Sequence, residues 1–224
     1  MDRSDLKNLF SQHFSFWEHL SDSEKESLLN SAKENHYEKG EYVQSGNKNC
    51  VGVISVKSGE LRVYMLSEEG KEITLYRLFP GDTCVLSASC VLDAIAFEVF
   101  VNADEKSDVV LINAGDFRSL KENNIYVEAF AYKLATTRFS QVMWAMQQIL
   151  FMTMDKRLAI FLNDELLKTK GDTIKLTHEQ IAKYMGSARE VVSRMLKYFA
   201  QEGMVELSRG GIKIIDHEKL KKLI

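Results

Sequence analysis

Proline is almost missing from this chain, with one in 224 residues, which excludes a Pro-rich linker or tail. Cysteine is scarce and odd in number: Cys50, Cys84 and Cys90. Three thiols cannot build a disulfide framework, and they fit a reducing compartment. Long apolar runs are also lacking. A typical one, Val109–Ile112, is far short of the ~20 residues that span a bilayer, so no membrane partner is expected. The first five residues, Met1 to Asp5, are polar and carry no signal-type apolar core, so the expected location is cytoplasmic. Motifs of catalysis are missing too: no Gly-rich phosphate loop, no nucleophile elbow and no HExxH. The carboxylates Asp82, Glu98 and Asp104 are scattered through a β-rich stretch and define no catalytic pair, so an enzyme has little support.

What is present is ample material for a core. Hydrophobic residues make up 45% and charged residues 27%, which excludes a disordered chain, and the length favours two domains. The formal net charge of −3 hides an asymmetry. Residues 154–224 hold 14 basic and 10 acidic side chains, a net of +4, which leaves −7 on residues 1–153. A basic end on an acidic chain hints at nucleic acid there.

Between Val51 and Ile112 the pattern is that of short strands divided by turns. Val51–Val56 and Leu61–Leu66 flank a turn at Gly59, and Glu72–Phe79 leads to the turn Pro80-Gly81-Asp82. That spacing suggests a sandwich or small barrel. Earlier, Ser21 to Glu24 opens a helical stretch through Leu28 and Leu29. From about Glu122 to Phe151 Gly and Pro vanish, and Val127, Phe130, Leu134, Val142, Met146 and Ile149 recur at helical spacing. Around Trp144–Met154 the apolar residues exceed one stripe, so the helix needs a second contact. Either a symmetry mate or the β-domain would serve, and a dimer is favoured. The methionines Met143, Met146, Met152 and Met154 read as packing.

The most informative stretch follows Gly171. Thr177 with Gln180 forms a capping box whose helix buries Ile181, Ala182 and Met185 and stops at Gly186. Ser187 with Glu190 reads as a second capping box, starting another helix at once, which makes a helix-turn-helix. On that second helix Val191, Val192, Met195, Leu196 and Phe199 share one face; Arg189, Glu190, Ser193, Arg194 and Lys197 share the other. Arg can donate twice to guanine O6 and N7, and Glu can accept from cytosine N4. A plainer reading makes Glu190 a capping residue and Arg194 its i+4 partner on a solvated face. The residues 203–207, the turn Ser208 to Gly211, and residues 212–215 form a β-hairpin beside that helix, with Arg209 at its tip as a phosphate contact.

The run Leu176 to Leu196 resembles the winged helix-turn-helix of the cyclic-AMP receptor protein/FNR (Crp–Fnr) family of bacterial transcription regulators. Val53–Tyr64, Gly70–Asp82, the long helix and Asp155–Ala159 resemble family counterparts in the same order, so the likeness covers nearly the whole chain. It implies an α+β fold: a β-roll (a cyclic-nucleotide-binding-like jelly roll) over 1–120, a long dimerisation helix over 121–153, and a winged helix-turn-helix over 154–224. It further implies a homodimer through residues 121–153 that binds palindromic double-stranded promoter DNA and contacts RNA polymerase. Arg189, Glu190 and Arg194 match the family positions that read base edges. Ser193 matches the FNR branch and Arg189 the cyclic-AMP branch. Ser187, Lys197 and Arg209 complete the expected DNA contacts. The competing class is a ligand-binding or redox-sensing module whose C-terminal domain only meets proteins; the polar face of the second helix argues against it.

The effector region departs from the family. Val85 and Leu86 stand where the phosphate-binding cassette has Gly-Glu, and Phe97 and Glu98 stand where it has Arg-Ser/Thr. Exchanging a cationic clamp for a ring and a carboxylate removes attraction for phosphate. Val142 and Met143 fall on the positions that contact adenine. Cyclic AMP is therefore not the expected effector. Three cysteines, none before residue 50, do not supply the four thiolates of an FNR-type iron–sulfur cluster. His13, His19 and His36 have no diagnostic spacing, and the sequence leaves haem open. No cofactor or metal site is expected. Cys84 and Cys90 read first as buried packing, and alternatively as a redox pair or an effector pocket with Ser87 and Ser89. This version of the segment resembles a subgroup with a degenerate cassette. In that reading a small uncharged or aromatic molecule sits between it and the long helix, where Tyr132 and Lys133 supply polar contacts.

Overall fold

The computed structural model describes residues 2–45, 52–85, 98–169 and 171–224. They form two compact units: residues 1–70 with 75–142, and residues 71–74 with 143–224.

The first unit begins with α1 (Arg3–His13), a 3-10 turn at Trp17–His19 and α2 (Asp22–Ser31). The helix expected to open at Ser21 does so through a capping box, with Glu24 answering the Ser21 amide. Then come β1 (Ala32–Tyr37), β2 (Tyr42–Ser45), β3 (Val53–Ser58), β4 (Leu61–Leu66), β5 (Glu72–Leu78), β6 (Thr83–Cys84), β7 (Phe100–Ala103) and β8 (Ser107–Ile112). Two four-stranded sheets result, ordered β1-β8-β3-β6 and β2-β7-β4-β5. Ile54, Val56 and Val109 of the first sheet pack with Val63, Val101 and Ala103 of the second to form the core between them. The other face of the first sheet presents Val53, Val110 and Ile112 to Phe10, Phe14, Leu28 and Phe117 of the helices. A strand covered on both faces shows no alternation, which is why β3 reads as a nearly continuous apolar run. Ser55, the polar residue within its apolar run, is fully buried and meets His13 Nδ1 at 2.8 Å.

Sequence reasoning placed no strand before Val51, yet β1 and β2 precede it. β1 is the outer strand of its sheet and reads Ala-Lys-Glu-Asn-His-Tyr, half-buried at most. An edge strand with that composition carries no hydrophobic signal; pairing with β8 makes it a strand. The expected single helix from Glu122 is also interrupted. α3 (Ala114–Asn123) is capped by the Asn113 side chain and ends at an extended Asn124, after which α4 runs from Ile125 to Phe151.

α4 has two faces. Val127, Phe130, Ala131 and Leu134 pack into the helical side of the core. Opposite them Ile125, Ala129, Tyr132, Thr136, Phe139, Met143, Met146 and Leu150 recur at alternating steps of four and three, and all are exposed. Of the methionines expected to pack, Met154 packs against the core of the second unit, while Met143 and Met146 stay 45% and 47% exposed within the chain.

The second unit comprises α5 (Met154–Lys168), β9 (Thr173–Ile174), α6 (His178–Met185), α7 (Arg189–Gln201), β10 (Val205–Ser208), β11 (Gly211–Ile214) and α8 (His217–Lys221). Leu158, Leu162, Ile181, Val192, Leu196, Phe199 and Ile212 make its core. The hairpin β10–β11 is the expected wing, but it gains a third strand, β9, which the sequence did not announce. Two residues are too few for a periodic signal. Gly211 permits the approach: a Cβ there would lie 2.4 Å from the Ile174 carbonyl oxygen.

Because Phe199 has no exposed surface, Phe199→Ala should lower unfolding free energy by about 3–5 kcal/mol. The neighbouring Tyr198, 46% exposed, should tolerate alanine at a cost below ~1 kcal/mol. Urea unfolding followed by circular dichroism measures both.

Candidate nucleic-acid interface

The turn between α6 and α7 sets the geometry of this face. Thr177 and Gln180 form the expected capping box at the start of α6. At its end Gly186 takes φ 60°, a left-handed conformation that favours glycine. Its amide donates to the Lys183 carbonyl and that of Ser187 to the Ala182 carbonyl, closing the helix in a Schellman-like turn. The Arg157 guanidinium of α5 donates to the Met185 carbonyl at the same corner.

The second capping box does not form. Ala188 is the N-cap of α7 and makes no side-chain cap bond. The tight turn ties the Ser187 amide to α6, and its hydroxyl lies 3.8 Å from Met154 Sδ, so Ser187 faces α5 rather than its own helix. Two consequences follow. The first amides of α7 lack a side-chain cap and remain available to an anion. Glu190 is released from the capping role that was its plain reading.

Along α7, Val192, Leu196 and Phe199 are buried, while Arg189, Glu190, Arg194 and Lys197 are exposed. The pairing considered between Glu190 and Arg194 is not formed, and no ion pair or hydrogen bond among the described residues holds either. Both side chains project from one exposed face with their donors and acceptors uncommitted. Ser193 differs: it is half-buried, and its hydroxyl lies 3.2 Å from Nδ1 of His178, the first residue of α6. Burial and then the positive charges of Arg189 and Lys197 hold the His178 pKa below the ordinary histidine value.

Arg209 sits exposed at the tip of the wing, where the Gly210 amide donates to Ser208 Oγ. Between the wing and the start of α6 lies a cleft of about 280 Å³, lined among others by Lys175, Thr177, His178, Ser208, Arg209 and Gly210. Sequence reasoning missed Lys175 and His178. His178 was visible inside the capping box, but nothing in its spacing joined it to Ser193, fifteen residues away.

Of the expected effector residues, Cys84, Tyr132 and Lys133 fall within the described part of the chain. Ser87, Ser89 and Cys90, like Cys50, Leu86 and Phe97, lie outside the described residues. Cys84 is fully buried and meets the Tyr76 hydroxyl at 3.5 Å. Tyr132 and Lys133 are exposed, and Tyr132 belongs to the outward seam of α4 with the Lys121 ammonium over its ring, so neither faces Cys84. From α4 this region is reached by Arg138, 3% exposed, which donates to the Thr83 carbonyl and stacks on Tyr76, and by Val142, which packs against the cluster holding Cys84. A cation spaced four residues from both Leu134 and Val142 was the signal available for it. Among the described residues no cluster of His, Cys, Asp and Glu could hold a metal ion. His13, His19 and His36 each contact a neighbour: Ser55, the Tyr126 ring and Asp108.

Comparison with known proteins agrees with this layout. Residues 34–124 match the cyclic nucleotide-binding domain and residues 156–223 the Crp-like helix-turn-helix domain. A crystal structure of a Crp/Fnr-family protein from Eubacterium rectale superposes with a TM-score of 0.88 at 43% identity, covering 94% of this chain and 98% of that one. The cyclic AMP receptor protein of Thermus thermophilus is 25% identical over 75% of this chain and 77% of its own length. Electron transport regulator A of Shewanella oneidensis is 25% identical over 83% of this chain and 76% of its own. Two matched domains in this order, with a relative of such identity along almost the full length, place the chain in the Crp/Fnr family of transcription regulators, which are not enzymes.

Proposed function

We propose that the protein is a cytoplasmic homodimer that reads a palindromic promoter site in double-stranded DNA through α7 and responds to a signal other than cyclic AMP. The observation that carries the reading is the exposed, uncommitted set Arg189, Glu190 and Arg194 on a helix whose opposite face is sealed into the domain core. In the major groove Arg194 and Glu190 meet the two strands of a G·C pair, and Arg189 and the uncapped amides of α7 meet a phosphate or an adjacent base. Ser187 lies at the turn beside α5, so its part is to shape the entry of α7. Lys197 and Arg209 supply backbone charge.

Dimerisation is supported by α4. Its eight exposed seam positions follow a heptad, with Phe139 and Leu150 each 64% exposed. Apolar residues at a 3.5-residue spacing wrap two helices in a left-handed coil, which covers surface the chain leaves open. Two copies then present recognition helices about 34 Å apart, one turn of DNA. By family likeness the bound dimer contacts RNA polymerase. The different signal is supported by Val142, packed against the inter-sheet core, and by Met143, exposed and apolar; neither offers a hydrogen bond to a nucleotide base.

Selection of bound sites from a random duplex pool tests the central reading, which requires a twofold-symmetric consensus. On that consensus Glu190→Ala and Arg194→Ala should each cost about 1–3 kcal/mol and relax preference at one base pair per half-site. Arg209→Ala should weaken consensus and random duplexes alike and reduce the salt slope by about 1 per chain. Replacing both Phe139 and Met146 with Lys should convert the dimer to a monomer in sedimentation equilibrium and abolish the preference for paired half-sites.

A further inference from the structure

His178 lies where the DNA-facing elements of the second unit meet, and no role follows for it from the base-reading set alone. Its Nδ1 is 3.2 Å from the Ser193 hydroxyl on α7. Arg189 and Lys197 stand one turn before and one turn after Ser193 on the same helix, and their charges act on the imidazole. The ring also lines the cleft whose other walls carry Lys175 and, on the wing, Arg209. Of the acidic groups nearby, Glu179 follows it on α6 and Glu190 follows Arg189 on α7; neither bonds to it among the described residues. The imidazole is thus a titratable group beside two cations of α7, on a cleft that Lys175 and Arg209 also line.

Resting on the reading of this face as the DNA-binding surface, we propose that His178 is a proton-coupled phosphate contact: the protein takes up a proton on this imidazole when it closes on the DNA backbone. In the free protein partial burial, and then the charges of Arg189 and Lys197, favour the neutral ring at pH 7 to 8. The neutral ring with its proton on Nε2 accepts the Ser193 hydroxyl proton at Nδ1. A phosphate entering the cleft reverses the local field, since it is an opposite charge beside the ring and offsets Arg189 and Lys197. A proton from solvent then adds to Nδ1, which becomes a donor to Ser193 Oγ, while Nε2–H donates to the phosphate. Ser193 no longer spends its own proton on the ring and can turn it to the duplex. The step balances: a hydronium ion of the solvent gives up one O–H bond and becomes water as the Nδ1–H bond forms, and every other change is in hydrogen bonds.

The sign follows from linkage. The bound state holds more protons than the free state, so affinity rises as pH falls below the imidazole pKa of the complex and levels off below that of the free protein.

The test measures binding of the full chain to a mixed-sequence 40-base-pair duplex at fixed low salt from pH 8 to pH 5.5, so it requires no consensus. Wild type should bind about tenfold tighter at pH 6 than at pH 8. Its salt slope should steepen by about 0.9 per chain over the same interval. His178→Asn, which places an amide nitrogen or oxygen near the Nδ1 position without a titrating ring, should change by less than about twofold. Histidine resonances of wild type, with His178 assigned from the variant, should show its titration moving to higher pH when duplex is added. An equal pH response in His178→Asn, or an imidazole that titrates at the same pH with and without duplex, overturns the inference and leaves the regulator reading standing. Absence of duplex binding by wild type at every pH overturns both.

Discussion

A single helix with two apolar faces constrains everything else in this protein. The inner face of α4 is consumed by the aromatic core around Phe14, Phe16 and Phe130. The outer face carries a heptad that its own chain leaves in contact with water. Exposing several large side chains in one row along a rod is unfavourable by roughly 25 cal/mol for each Å² of apolar surface, and a second identical rod relieves it. In the dimer we propose, twofold symmetry follows from a self-complementary interface, and with it the expectation of a palindromic site. The proposed readout by α7 would depend on that symmetry as much as on its own side chains.

The second constraint is the corner between α6 and α7. Gly186 and the Schellman-like bonds stop one helix and start the next within three residues, and the Arg157 guanidinium holds the carbonyl of Met185 at the corner. So short a turn leaves no room for Ser187 to reach over the first turn of α7. The helix therefore begins uncapped, with Glu190 exposed and free of its local role. A lost cap costs about 1 kcal/mol, yet it leaves amides and a carboxylate at the surface where a ligand can use them. Local stability and the capacity to bind are in direct opposition from Ser187 to Glu190.

Much of this was legible in the sequence. The amphipathic pattern of α7, the helix start at Ser21, the capping box at Thr177 and the turn at Gly186 announce themselves because each depends on residues within four positions of one another. The wing hairpin is local in the same sense. What escaped the sequence depends on pairing at a distance. β1 has almost no apolar content, and β8 seventy residues later makes it a strand. β9 is two residues long and exists through β11. The break at Asn124 is fixed by the Asn124 side chain reaching back to the His19 carbonyl and Glu24, a hundred residues earlier.

The division has a physical basis. By itself the sequence determined the periodicities, the order of elements and the chemistry on the polar face of α7, because hydrophobic spacing and helix-end preferences act over one or two turns. Tertiary structure alone decided which apolar stripe of α4 is buried and which is bare, that Ser187 faces α5, and that His178 meets Ser193 between two cations. Those outcomes depend on which surfaces compete for the same neighbour, and a one-dimensional pattern carries no information about that competition.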